Sequence, residues 1–142
     1  PSLITSLKLS DRRGEDGLLT TKEILEINLN ADLVVLSACN TGGADKPGGE
    51  SLSGLARAFF FAGSRSLLVS HWFVDDEATA DMMVEFFKQI RRQKPSNLSQ
   101  ALRKAQLSLI NNPIQVMWSH PYYWAAFTVV GDGAMKLSDI AK

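Results

Sequence analysis

The sequence predicts an α/β fold with a mostly parallel sheet. Three apolar runs, "DLVVLSA" (32–38), "SLLVSHW" (66–72) and "AAFTVV" (125–130), lack the alternation of a half-exposed strand and read as strands covered on both faces. The segments between them carry apolar residues at helical spacing, which sets the order strand, helix, strand, two helices, strand, with right-handed crossovers. The 142 residues, 45% of them hydrophobic, suffice to bury the core of one domain. No internal repeat or low-complexity segment interrupts the pattern.

At the amino end, residues 5–9 ("TSLKL") alternate loosely, the charged stretch "DRRGEDG" follows, and "LLTT" is extended again, which predicts a small hairpin. Thr20 and Glu23 have the spacing of a capping box, and Ile24, Leu25 and Ile27 supply an apolar face, so a short helix begins there. After the first core strand comes a glycine-rich loop, residues 40–50. The next helix, in "SLSGLARAFFFAGS", sets Leu52, Leu55, Ala56, Phe59 and Phe60 on one face, with Gly63 as its C-cap. "VDDEATADMMVEFFKQIRRQK" opens with acids and closes with bases, as the helix dipole favours, and aligns Ala78, Met82, Phe86 and Ile90 in one stripe. Residues 97–111 form another helix, with Leu98, Leu102, Ala105 and Leu109 on its buried side and Pro113 as its stop. Aromatic residues then lead into the third strand, which glycines close.

Fifteen basic and fifteen acidic residues cancel, and neither sign forms a block, so neither a nucleic acid nor an anionic membrane is expected as a partner. A single cysteine forms no internal disulfide. With only His71 and His120 beside it, no zinc-type ligand set arises, and neither a metal nor any other cofactor is expected. No apolar run approaches twenty residues and no secretory signal opens the chain, which sets the expectation of a cytoplasmic protein. The opening "PSLITSLKLSD" has no initiator methionine, from which a segment of a longer protein is expected.

Chemistry is concentrated where the strands end. Cys39 follows the small residues Ser37 and Ala38 and precedes Asn40, Thr41, Gly42 and Gly43. At the carboxyl end of a parallel strand the loops diverge and leave a crevice. A thiol there serves as a nucleophile when a base or positive charge favours the thiolate and backbone N–H groups face the oxyanion. The stretch itself holds no base, and a small, buried, apolar cysteine is the competing reading. Gly43 and Gly48 have the spacing of a phosphate-binding loop, but Gly49 and Glu50 stand where that motif needs Lys and then Ser or Thr. His71, read as part of the second strand, is either a base for Cys39 or a hydrogen-bonded structural histidine. His120 precedes Pro121 before the third strand, so in a parallel sheet it lies away from the site and fixes a turn. Asp75 and Asp76 are helix caps by default; the sharper reading turns one of them toward a substrate pocket that prefers a basic residue, walled by Trp72 and Phe73. The group Pro121 to Trp124 reads as core or as a wall between sheet and helix.

Three blocks, "DLVVLSACNTG", "GESLSGLARAFFFAGSRSLLVSHWFVDDEATADMM" and "SHPYYWAAFTVVGDG", closely resemble the signature blocks of the CHAT domain, the caspase-like module often found with tetratricopeptide repeats. The likeness runs over residues 18–133 with matching order and spacing. It implies a clan CD cysteine peptidase, related in fold to caspases and separase, with a three-layer α/β/α sandwich of which residues 1–142 are a single partial domain. It also sets the expectation of a bacterial protein. Cys39 becomes the nucleophile and its own N–H part of the oxyanion hole. The partner histidine belongs to a His-Gly pair upstream of this chain, and neither His71 nor His120 matches that block. The full protein is then an enzyme acting on a protein or peptide, with tetratricopeptide repeats as companions in the same chain, while this chain alone is inactive. Core strands supplied from upstream leave an exposed sheet edge here, from which a homodimer is expected. A non-catalytic interaction module with a structural Cys39 is the alternative.

Overall fold

The structure is a computed structural model that describes residues 6–8, 18–36, 52–92 and 97–136. The expected hairpin is present, with β1 (Ser6–Lys8) antiparallel to β2 (Leu18–Thr20), and it leads into α1 (Thr21–Glu26). The capping box is also present. The Thr20 hydroxyl accepts from the Glu23 N–H at 3.3 Å, and the Glu23 carboxylate accepts from the Thr20 N–H at 2.6 Å. Of the face expected for this helix only Ile24 is buried, and Leu25 and Ile27 stay exposed. A helix of six residues makes fewer than two turns and turns one residue fully inward.

The main sheet has the order β3 (Leu33–Leu36), β4 (Ser66–Ser70), β5 (Phe127–Gly131). β3 and β4 are parallel and joined through α2 (Leu52–Phe61), as the sequence predicts. β5 runs antiparallel to β4, pairing Phe127 with Ser70 and Gly131 with Ser66, which corrects the expectation of a third parallel strand. The cause is the number of helices between them. α3 (Asp76–Arg92) carries the chain away from the carboxyl end of β4, and α4 (Leu98–Ile110) brings it back. The following strand therefore starts where β4 finished, whereas one crossover helix would have made it parallel. A 3-10 turn (Val116–Ser119) and a single-turn helix, α5 (Pro121–Trp124), fill the aromatic lead-in to β5.

Side chains alternate across each strand, so the unbroken apolar runs serve two cores at once. Leu67 and Val69 of β4 join Ile24, Leu36, Leu55 and Phe59 beneath α1 and α2. Leu68 points the other way, into a cluster with Met82, Phe86, Leu102, Leu109 and Phe127 beneath α3 and α4. The two predicted stripes, Ala78, Met82, Phe86, Ile90 and Leu98, Leu102, Ala105, Leu109, are buried throughout.

One end of the sheet is pinned by polar contacts. Arg65, just before β4, pairs with Asp32 and with Asp132, each at 3.3 Å, and the Ser66 hydroxyl donates to the Asp132 carbonyl at 3.0 Å. Gly131 has φ +96°, and a Cβ there would come within 2.7 Å of the Arg65 carbonyl oxygen, so the chain needs glycine at this close approach. The opposite end, where β3 and β4 finish and β5 begins, is left for the site.

Candidate functional site

Cys39, its N–H as an oxyanion donor, and the loop of residues 40–50 lie outside the described residues. The rim from which that loop departs is described. Leu36, the last residue of β3, pairs with Val69, one residue before the end of β4, and β5 starts opposite Ser70.

His71 is the first residue past β4 rather than a member of it. Its backbone N–H donates to the Ala126 carbonyl at 2.9 Å, and its Nε2 lies 3.1 Å from the Thr128 hydroxyl, across the β4–β5 pair. The imidazole is exposed yet tied to β5, as the structural reading of this histidine expects.

The chain then turns into α3. Asp75 caps that helix, its Oδ1 accepting from the N–H groups of Glu77 and Ala78, both at 3.1 Å. Asp76 opens the helix and borders a small cavity of about 40 Å³, lined also by Ser70, Trp72, Phe73, Val74, Thr79 and Phe127. Such a volume holds about three water molecules. Of the four residues named from sequence as pocket candidates, Trp72, Phe73 and Asp76 come together here and Asp75 is taken up by the cap. Sequence reasoning missed Ser70, Val74, Thr79 and Phe127. Thr79 stands three residues after Asp76, on the same helix face, which was a usable signal. Phe127 arrives only because β5 is antiparallel.

His120 does fix a turn, but its place is corrected. Because β5 is antiparallel, His120 lies at the same end of the sheet as Trp72. Its Nδ1 accepts from the Tyr122 N–H at 3.2 Å and so caps α5, while the Trp72 Nε1–H donates to the Tyr122 carbonyl at 2.9 Å. An open groove of about 490 Å³ is lined by Met117, Ser119, His120, Tyr122 and Tyr123.

A carboxylate and two hydroxyls against aromatic walls can pair a cationic or hydroxylated group, and they do not by themselves make a reaction centre. Among the described residues no group of three or more His, Cys, Asp or Glu side chains could hold a metal ion, and no buried side-chain nitrogen or oxygen lacks a partner. No described helix is long and apolar enough to cross a membrane.

A family model described as CHAT domain matches residues 1–132. Among curated proteins, Tetratricopeptide repeat protein 28 of Mus musculus is 30% identical over 116 residues, and the protein of the same name from Homo sapiens is 29% identical over 116 residues. Each alignment covers 80% of this chain and 4% of the relative, so the chain spans a small part of the relatives' length. Both relatives are mammalian, and the expectation of a bacterial protein finds no support in them. No solved structure matches.

Proposed function

The chain belongs to the CHAT domain family, and from that premise we propose that it is the cysteine-bearing part of a caspase-like cysteine endopeptidase domain. The observation that carries this reading is the family match over residues 1–132, which includes Cys39. In the proposed reaction an imidazole from outside residues 1–142 takes the Cys39 proton, and the thiolate adds to a peptide carbonyl carbon. The oxyanion is held in part by the Cys39 N–H. Collapse expels the amine with the proton from the imidazolium, and water then hydrolyses the thioester to release the acid and restore the thiol. The helices on both faces of the sheet, α1 and α2 against α3 and α4, accord with a three-layer sandwich for the complete domain.

The cavity at Asp76 is proposed to take the substrate side chain. Its volume suits the head group of a Lys or Arg, with the apolar stem lying along Trp72 and Phe73, which are 40% and 53% exposed. Asp76 rather than Asp75 then confers the preference, since Asp75 is committed to two N–H groups. A homodimer through an exposed edge of the sheet, where β3 and β5 each pair with no further described strand, belongs to the same proposal and is read by light scattering.

A second reading, favoured by the name of the curated relatives, is a non-catalytic module that works beside tetratricopeptide repeats in one long chain. One experiment separates the two. An upstream-extended protein and its Cys39→Ala variant are given a diverse peptide library, and products are read by mass spectrometry. Cleavage after basic residues that vanishes in Cys39→Ala, and loses its preference in Asp76→Asn, is the result expected of the peptidase. Absence of any Cys39-dependent cleavage, in a protein shown to carry the upstream His-Gly pair, leaves the interaction module.

A further inference from the structure

The cavity wall Trp72 is not free-standing. It stands two residues past the end of β4, and its indole N–H donates to the backbone of α5, a helix of four residues with none buried. So short a helix does not persist on its own hydrogen bonds. Its far end is held from the core, because Gln106 of α4 donates through Nε2 to the carbonyls of Trp124 and Phe127, each at 3.2 Å. The Trp124 indole adds a tie to the Ser119 carbonyl at 3.2 Å. Its near end is held at Tyr122, whose N–H goes to His120 Nδ1 and whose carbonyl receives Trp72. The two ends of a single residue thus join an imidazole to the indole that walls the cavity.

We propose that His120 is a positioning residue for the cavity, acting on Trp72 through Tyr122. With its Nδ1 as acceptor the Tyr122 N–H is fixed, the carbonyl of the same residue is aimed, and the indole that it receives is held at the wall of the cavity. No other described contact of the indole N–H competes with this one. The consequence for substrate rests on the proposal that this cavity receives the substrate side chain; the relay itself does not.

The test is read on the Trp72 indole N–H resonance of the chain, assigned by its loss in Trp72→Phe. His120→Ala removes the acceptor, and hydrogen exchange of the Trp72 indole accelerates about fivefold, the factor that a lost cap of ordinary strength corresponds to. The Gln106 side-chain amide, which donates to the Trp124 and Phe127 carbonyls at the far end of α5, keeps its shift, whereas loss of α5 as a whole would move both it and the Trp72 indole. His120→Asn, which offers a side-chain acceptor at the same place, restores the Trp72 signal. His120→Gly serves if His120→Ala fails to fold, because glycine at a cap loses the acceptor with little loss of stability. An unmoved Trp72 indole in His120→Ala or His120→Gly, or a failure of His120→Asn to restore it, overturns the proposal. In the upstream-extended protein the same loss raises KM about fivefold, with kcat within about twofold. Because the resonance needs no catalysis, a relay that holds in a protein cleaving nothing removes the peptidase reading and keeps the relay.

Discussion

α3 and α5 start at the same end of the sheet, both with a side-chain cap, and they rest on different physics. α3 runs for 17 residues, begins with Asp75 holding two N–H groups, and buries Ala78, Met82, Phe86 and Ile90. α5 has four residues, begins with an imidazole cap behind Pro121, and buries none. The first helix is stabilised by its own apolar stripe, and its cap sets where it begins. The second exists because neighbours hold it: Gln106 at one end, and His120 and Trp72 at the other. A site assembled from both combines one rigid wall with one wall whose place depends on a few hydrogen bonds.

The largest expected effect tests the first half of that contrast. Phe86 is fully buried in the cluster beneath α3 and α4, and Phe86→Ala is expected to lower the stability of the chain by about 3–5 kcal/mol, measured by urea unfolding. A loss below about 1 kcal/mol would mean that the stripe is not what holds α3, and the comparison would break. The cap comes next. Asp75→Ala is expected to cost about 1 kcal/mol, against less than about 0.5 kcal/mol for Asp76→Ala, because only Asp75 satisfies helix N–H groups. Equal losses in the two variants would return Asp76 to a structural role and weaken its part in the pocket.

The same contrast explains what could be read from the sequence. Helices with a full stripe, such as Leu98, Leu102, Ala105 and Leu109 in α4, announce themselves through period and caps, and the Thr20–Glu23 box is legible because both partners are local. The direction of β5 was legible in principle, since two predicted helices precede it, but the residues of the strand carry no mark of direction. α5 was not legible. Its helix-favouring features amount to one proline, and the contacts from Gln106 and Trp72 come from 18 and 50 residues away in sequence. Of the pocket, Trp72 and Asp76 were accessible because they follow one strand end, while Phe127 waited on topology.

A third cap, at α1, sharpens the comparison because the cap itself titrates. α1 has six residues with Ile24 its sole buried residue, so like α5 it depends on its ends. The Glu23 carboxyl is held below the usual carboxylate range, first by the backbone N–H of Thr20 and then by the Thr20 hydroxyl. A carboxyl lowered in the folded chain contributes stability above its unfolded pKa, and that contribution fades as pH falls through the folded value. Since Glu23 is open to solvent, the effect is the smallest of the three and is best read at the residue, by following its carboxyl carbon by NMR through an acid titration. Thr20→Ala is expected to raise the Glu23 midpoint only part of the way, because the backbone N–H, the larger cause, survives the substitution. A full return to the ordinary value would mean that the hydroxyl sets the geometry of the whole box, and no change at all would mean that the reciprocal bond to Thr20 is absent in solution.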